Sequence, residues 1–278
     1  MRTITAAWQR RRPSWVLAPE LLGGHSLPGR GRSNTRLASL LRQAERILVF
    51  TGGGICRDTG TSPPEDNITA PESPMASEEA CLAYWERKDR QWDRFRSARP
   101  SAVHWAIVEL ERMRKLEQVV THNVDGLHLW AGTSPSRLVE IHGTNAELVC
   151  PDCGRRHDPA IHYARFRRER TLPTCDCGGQ LRAATIDSHE QLRDDDVRRA
   201  GCAAAAADLV IALGSSLDRY PASSIPLLAA QNGVPYVVIS RGATGHDDHP
   251  LVTVRLDADP LIVFPHAVAT ACRSGRLR

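Results

Sequence analysis

Three groups of residues in this chain have types and spacings that could do chemistry. The first is Gly52, Gly53 and Gly54, three consecutive glycines directly after the apolar run Ile47 to Phe50. Glycines at such a point permit positive φ and let backbone N–H groups approach a phosphate closely. Alone, the arrangement serves equally as a plain turn. The second group lies after two further apolar runs. Thr121 to His128 follows Val119 and Val120, and Glu140 to Thr144 follows Leu138 and Val139. Both place polar side chains at strand ends, where open α/β sheets bind their ligands. Taken by itself, His142 reads as a satisfied histidine at a strand end. The third group is Cys150 and Cys153 with Cys175 and Cys177, two close pairs separated by 21 residues. Intracellular chains use such pairs as thiolate ligands to a structural zinc ion. Glycines at 154, 178 and 179 allow tight knuckle turns. A disulfide framework is the competing reading, though a chain of this size with four other scattered cysteines does not suggest one. The second pair is C-x-C, so His157 or His162 is kept open as a substitute for one sulfur.

The elements that must position these groups are legible from periodicity. Ser33 and Asn34 can cap a helix whose apolar residues Leu37, Leu40, Leu41 and Ala44 form one stripe. A second helix over 100–113 carries Val103, Ala106, Ile107, Leu110 and Met113 on one face, with His104 and Trp105 as packing residues. Short apolar runs at 47–50, 118–121, 138–141, 208–213, 235–240 and 252–256 read as strands. Helical stretches at 194–206 and 222–232 lie between the later ones. This alternation predicts an α/β fold with a doubly wound, Rossmann-like parallel sheet. The segment from Thr61 to about Pro100 is rich in Pro, Glu and Ser before turning aromatic and charged, and reads as a lid followed by short helices. The expected organisation is a leader at 1–33, a nucleotide-binding domain at 34–145 and 183–272 that includes the 61–100 insert, and a small inserted zinc domain at 146–182.

Composition sets wider bounds. With 278 residues, 41% hydrophobic and 24% charged, the chain has the make-up of a globular protein with a buried core. The net charge of +4 is concentrated at the start. Residues 1–33 hold six arginines and one acid, Glu20, so the remainder is close to −1. A nucleic-acid partner is therefore not expected. The leader has no continuous apolar h-region and reads as a tail or an over-long start, with a targeting or polyanion-binding arm as the alternative. No run approaches the roughly 18 apolar residues that span a bilayer. The expected setting is cytoplasmic.

The order of Gly52 to Ile55, Thr121 to His128, Glu140 to Thr144, Gly214 to Ser216 and the paired cysteines resembles the sirtuins, NAD-dependent protein-lysine deacylases. The resemblance covers roughly residues 36–265. It implies that His142 is the catalytic base, a role that suits an imidazole titrating near neutrality. It also implies that Asn123 and Asp125 contact the nicotinamide and its ribose, for which an amide and a carboxylate are suited. Gly52, Gly53 and Gly54 would face the pyrophosphate, and Gly214, Ser215 and Ser240 the adenosine side. NAD would be the co-substrate and an acyl-lysine protein or small-molecule acyl substrate the partner. Zinc at Cys150, Cys153, Cys175 and Cys177 would be structural.

The chain also departs from the sirtuin pattern. Thr61 to Glu65 replaces the family's Ile-Pro-Asp-Phe-Arg, and Ser188 and His189 stand where an aromatic followed by acidic or glycine residues is usual. Cys56 replaces Ser, His122 replaces Gln and Ser240 replaces Asn. The expected activity is NAD-dependent lysine deacylation, transferring the acyl group to ADP-ribose and releasing nicotinamide. Two alternatives stay open, an NAD hydrolase or ADP-ribosyltransferase on the same frame and a weakly catalytic NAD or ADP-ribose binder. An oxidoreductase fits less well, because the acid expected about 20 residues after the glycines is missing.

Overall fold

The computed structural model describes residues 31–57, 59, 77–186 and 190–275. Its centre is a six-stranded, wholly parallel sheet. The strands are β1 (Ile47–Thr51), β2 (Leu116–Thr121), β3 (Leu138–Glu140), β7 (Leu209–Leu213), β8 (Tyr236–Ser240) and β9 (Val254–Asp257), arranged in the order β3-β2-β1-β7-β8-β9. The doubly wound sheet is thus as expected. Strand order reverses between β1 and β7, which pair from Ile47 with Leu209 to Thr51 with Leu213. That reversal opens a crevice beyond the carboxyl ends of the two strands.

Alternation along β1 divides the core. Ile47 and Val49 face one apolar layer with Leu37 and Leu41 of α1 (Gly31–Gln43), Ile107 and Leu110 of α3 (Ala102–Arg112) and Phe264 of α8 (Pro260–Gly275). Leu48 and Phe50 face the other, with Ala200 and Ala204 of α6 (Asp194–Ala206) and Ala229 of α7 (Ile225–Gln231). Strands β1, β7 and β8 are buried along their whole length, which is why they read as nearly continuous apolar runs. Helix α1 begins at Gly31, so Ser33 and Asn34 lie inside it and are not its cap. Residues 1–30 lie outside the described residues.

A second, antiparallel sheet joins β4 (Gly143–Val149), β5 (Arg156–His157) and β6 (Arg182–Thr185) in the order β5-β4-β6. Helix α5 (Pro159–Glu169) covers it, capped by Asp158, whose carboxylate accepts from the Ala160 N–H. The segment expected to carry short helices is instead one 20-residue helix, α2 (Glu78–Ser97), capped by Ser77. Nor does α2 cover the large sheet. Its Tyr84, Trp85 and Trp92 pack with Tyr163, Phe166, Leu148, Cys150 and Cys175 of the smaller body. Arg167 of α5 pairs with Asp89 and Asp93, and Tyr84 Oη accepts from the Ala183 N–H at 3.0 Å. Aromatic residues that looked like lid furniture are therefore the core of the second body.

Candidate functional site

The crevice at the reversal point is floored by two glycine turns that interlock. After β1, Gly52 leads into a 3₁₀ turn, Gly53–Ile55; after β7, Gly214 turns in the left-handed region at φ +60°. The Gly54 N–H donates to Gly214 O at 2.7 Å, and the Gly214 N–H donates to Ile239 O at the end of β8. A Cβ on Gly54 would sit 2.8 Å from Gly214 Cα, and one on Gly52 would sit 2.7 Å from Ser215 Cα. These two glycines serve close backbone approach. Gly53 differs, because a Cβ there would meet nothing within 4 Å. Of the three glycines expected to face a pyrophosphate, Gly53 is the one that opens outward.

The loop after β2 crosses this floor. Asn123 Nδ2 donates to Gly52 O and to Cys56 Sγ, each at 3.3 Å, and its backbone N–H donates to Thr121 Oγ1. The Cys56 thiol donates to Asp125 Oδ2 at 3.0 Å, while Asp125 Oδ1 accepts from the Leu127 N–H at the start of α4 (Leu127–Ala131). Asn123 and Asp125 are thereby fixed on one side of the crevice. His128, at 2% exposure, lies beneath them with Nε2 3.0 Å from Thr51 Oγ1, and burial pushes its pKa down to about 3. It is held in the packing as a neutral ring.

His142 occupies the seam between the two sheets. The Ile141 N–H donates to Thr121 O at the end of β2, and the Ile186 N–H donates to His142 O. Gly143, at φ +72°, lets β4 leave at once beside β6; a Cβ there would run into the Ala184 carbonyl. The strand-end spacing of Ile141, His142 and Gly143 thus has a structural cause. His142 Nε2 lies 2.7 Å from His122 Nδ1. Burial first, then the positive charge of Arg219, holds the His142 pKa below the ordinary histidine range. Such a ring stays neutral, and able to accept a proton, at neutral pH and somewhat below.

Four contributors escaped sequence reasoning. His122 was passed over, yet it touches His142. Cys56 reads in the sequence only as a replacement for Ser, yet it bridges Asn123 and Asp125. Arg219 comes from the loop after β7, and its charge acts on both imidazoles. Glu140, the residue two before His142, has its pKa raised to about 7 by burial and then by the charge of Asp125, against a hydrogen bond with Thr144. The position of Glu140 inside the same strand-end motif was the one signal that could have found it.

Ser215 and Ser240, the residues expected on an adenosine side, are both buried at the carboxyl ends of β7 and β8. Ser215 Oγ accepts from the Leu217 N–H and Ser216 Oγ donates to Asp218. Residues 61–65 and 187–189, where the chain departs from the sirtuin pattern, lie outside the described residues.

The four cysteines of the smaller body converge. Cys150 and Cys177 sulfurs are 3.6 Å apart, Cys153 and Cys175 3.7 Å, and all four lie within 4.8 Å of one another. Tetrahedral Zn–S bonds of about 2.3 Å require sulfurs about 3.8 Å apart, so the set fits a Cys₄ zinc ion. The C-x-C pair delivers both its sulfurs, and neither His157 nor His162 belongs to the cluster. None of the eight cysteines is joined in a disulfide.

Comparison with known proteins agrees with this geometry. A model of the Sir2 family matches residues 63–221. The chain is 32% identical over 233 residues to NAD-dependent protein deacetylase 1 of Bradyrhizobium diazoefficiens, covering 80% of this chain and 91% of that protein. Among solved structures, it superposes on Sir2Af2 bound to a myristoylated histone peptide with a TM-score of 0.70 and 26% identity, covering 89% of this chain and 99% of that one. A Sir2 homolog–NAD complex gives a TM-score of 0.74 at 25% identity, covering 86% and 94% of the two chains. Among the described residues, no helix is long and apolar enough to cross a membrane.

Proposed function

The chain belongs to the Sir2 family, and on that premise we propose that it is an NAD-dependent protein-lysine deacylase, passing the acyl group to ADP-ribose and releasing nicotinamide. The observation that carries this reading is that Asn123 and Asp125 are tied to the glycine turn through Gly52 and Cys56 beside the open Gly53, with His142 one residue past the strand end that Ile141 ties to Thr121. NAD, when bound, supplies the electrophilic ribose carbon and nicotinamide as the leaving group. Gly53 offers unobstructed backbone to the pyrophosphate, and Ser215 and Ser240 line the adenosine side. Asn123, held by Gly52 O, orients the carboxamide end, and Asp125 takes the ribose hydroxyls. His142 accepts the proton of a ribose hydroxyl as that oxygen attacks the acyl-derived carbon; its neutral state near pH 7 suits that task. The substrate would be an acyl-lysine protein, as in the relative solved with a myristoylated histone peptide.

Zinc belongs to the same proposal as a structural ion held by Cys150, Cys153, Cys175 and Cys177. It supplies a crosslink and takes no part in the reaction. Eight reduced thiols also suit the cytoplasm.

The test is nicotinamide release from NAD by the purified protein, with and without an acetyl-lysine peptide. Peptide-dependent release with formation of acetyl-ADP-ribose is the expected result. Release without peptide would replace the reading by hydrolase or ADP-ribosyltransferase chemistry, and stabilisation by NAD with no release by a binding module. His142→Ala is expected to abolish release, by at least about 100-fold as for loss of a general base, while leaving NAD-induced thermal stabilisation intact.

A further inference from the structure

His122 is fixed at three points. Its backbone N–H donates to Thr51 O at 2.9 Å, tying it to the end of β1. Its ring meets Phe50 edge-on, with centroids 4.8 Å apart and planes at 84°, and Phe50 is fully buried. Its Nδ1 points at His142 Nε2 across 2.7 Å. A second imidazole placed this firmly against the first is more than filling.

Two ring nitrogens at that distance share one proton, and its owner decides what His142 can do. If His122 donates from Nδ1, His142 accepts at Nε2 and carries its own proton on Nδ1, which leaves no lone pair for a substrate. If His142 donates from Nε2, its Nδ1 keeps the lone pair. Only the second arrangement leaves His142 basic at a nitrogen not already spent. The charged groups acting on the pair are Arg219 and Asp218 from the loop after β7. Burial first, then the nearby His142 and Arg219, push the His122 pKa down to about 3, so its ring is neutral and can accept at Nδ1.

We propose that His122 is a positioning residue for His142: by accepting at Nδ1 it holds His142 in the Nε2–H tautomer and leaves Nδ1 of His142 to take the substrate proton. The inference rests on the reading of His142 as the base. In the step itself the ribose O–H bond breaks and its electron pair stays on the attacking oxygen. The proton forms an N–H bond at Nδ1 of His142. The resulting imidazolium keeps its Nε2–H donated to neutral His122, and the proton leaves later from Nδ1.

Nitrogen-15 NMR of histidine-labelled wild-type protein reads the tautomer directly. The Nε2–H form of His142 is expected; the Nδ1–H form would overturn the proposal. His122→Phe, which keeps a ring against Phe50 but cannot accept, is expected to lose the fixed tautomer. Its kcat for nicotinamide release should fall about 10- to 100-fold, within the range of general-base contributions, with KM for NAD within about twofold. His122→Gln, whose amide oxygen can accept, should recover most of that kcat. An unchanged kcat in His122→Phe, with His142→Ala inactive, would overturn the pairing alone. Full activity in His142→Ala would remove the base reading and the proposal's catalytic content with it, and the NMR tautomer would still show whether the two rings pair as described.

Discussion

Glu140 shows how one residue can couple stability to the state of the site. Its carboxyl titrates near 7 in the fold against an ordinary value of 4.5, because burial and Asp125 both disfavour its charge. The fold thus binds a proton that the unfolded chain releases. The stability this contributes is complete below pH 4.5 and is lost as pH rises through 7. Glu140→Gln, which cannot ionise, is expected to gain stability relative to wild type as pH goes from 5 to 8, by roughly 1–3 kcal/mol. Urea midpoints of the two proteins across that range check it; a gain that shrinks with pH would mean that the carboxylate is favoured in the fold. At this scale the sequence offered His142, Asn123 and Asp125 as candidates through their motifs. It did not yield their partners, since nothing local links Cys56 to Asp125 or His122 to His142, which lie 69 and 20 residues apart.

At the scale of elements, the three glycines after β1 divide between two tasks. Gly54 is pressed against the Gly214 turn, where a methyl group would collide with backbone at 2.8 Å; Gly53 faces open space. Gly54→Ala should destabilise the fold by roughly 1–3 kcal/mol, as for overpacking where backbone must shift. Gly53→Ala should leave the melting temperature of the free protein within about one degree but reduce its rise on adding NAD. Thermal melts with and without NAD separate the two. Equal behaviour of both variants would mean that the glycines share one role. The three consecutive glycines were readable as a turn that permits close approach. Which glycine meets protein and which is open depends on β7 arriving beside β1, a pairing across some 160 residues.

For the molecule as a whole, the cysteine cluster and α2 share one apolar core. Trp85 and Trp92 are 1% and 7% exposed and share an apolar cluster with Cys150 and Cys175. Disrupting the cluster should therefore release α2. Cys150→Ser, or treatment with a strong chelator, is expected to lower bound zinc and to red-shift tryptophan emission together, with the shift suppressed in a Trp85→Phe, Trp92→Phe background. Unchanged emission after complete metal removal would show that α2 packs independently of the ion. Because β4 runs directly from Gly143 out of the seam that holds His142, loss of this body should also weaken the site.

The sequence by itself determined the parallel sheet, the places of its strands and the identity of the residues at their carboxyl ends. Periodicity and turn residues are local, and strands buried on both faces announce themselves as apolar runs. It also determined the four sulfurs as a candidate metal set, because the pairs are close in the chain. Tertiary structure alone decided that α2 belongs to the smaller body, that Gly53 is the open glycine and that the His122 and His142 rings meet. Those outcomes depend on which surfaces meet. The surfaces are set by strand order and by the turn at Gly143, where the chain passes from one sheet into the other.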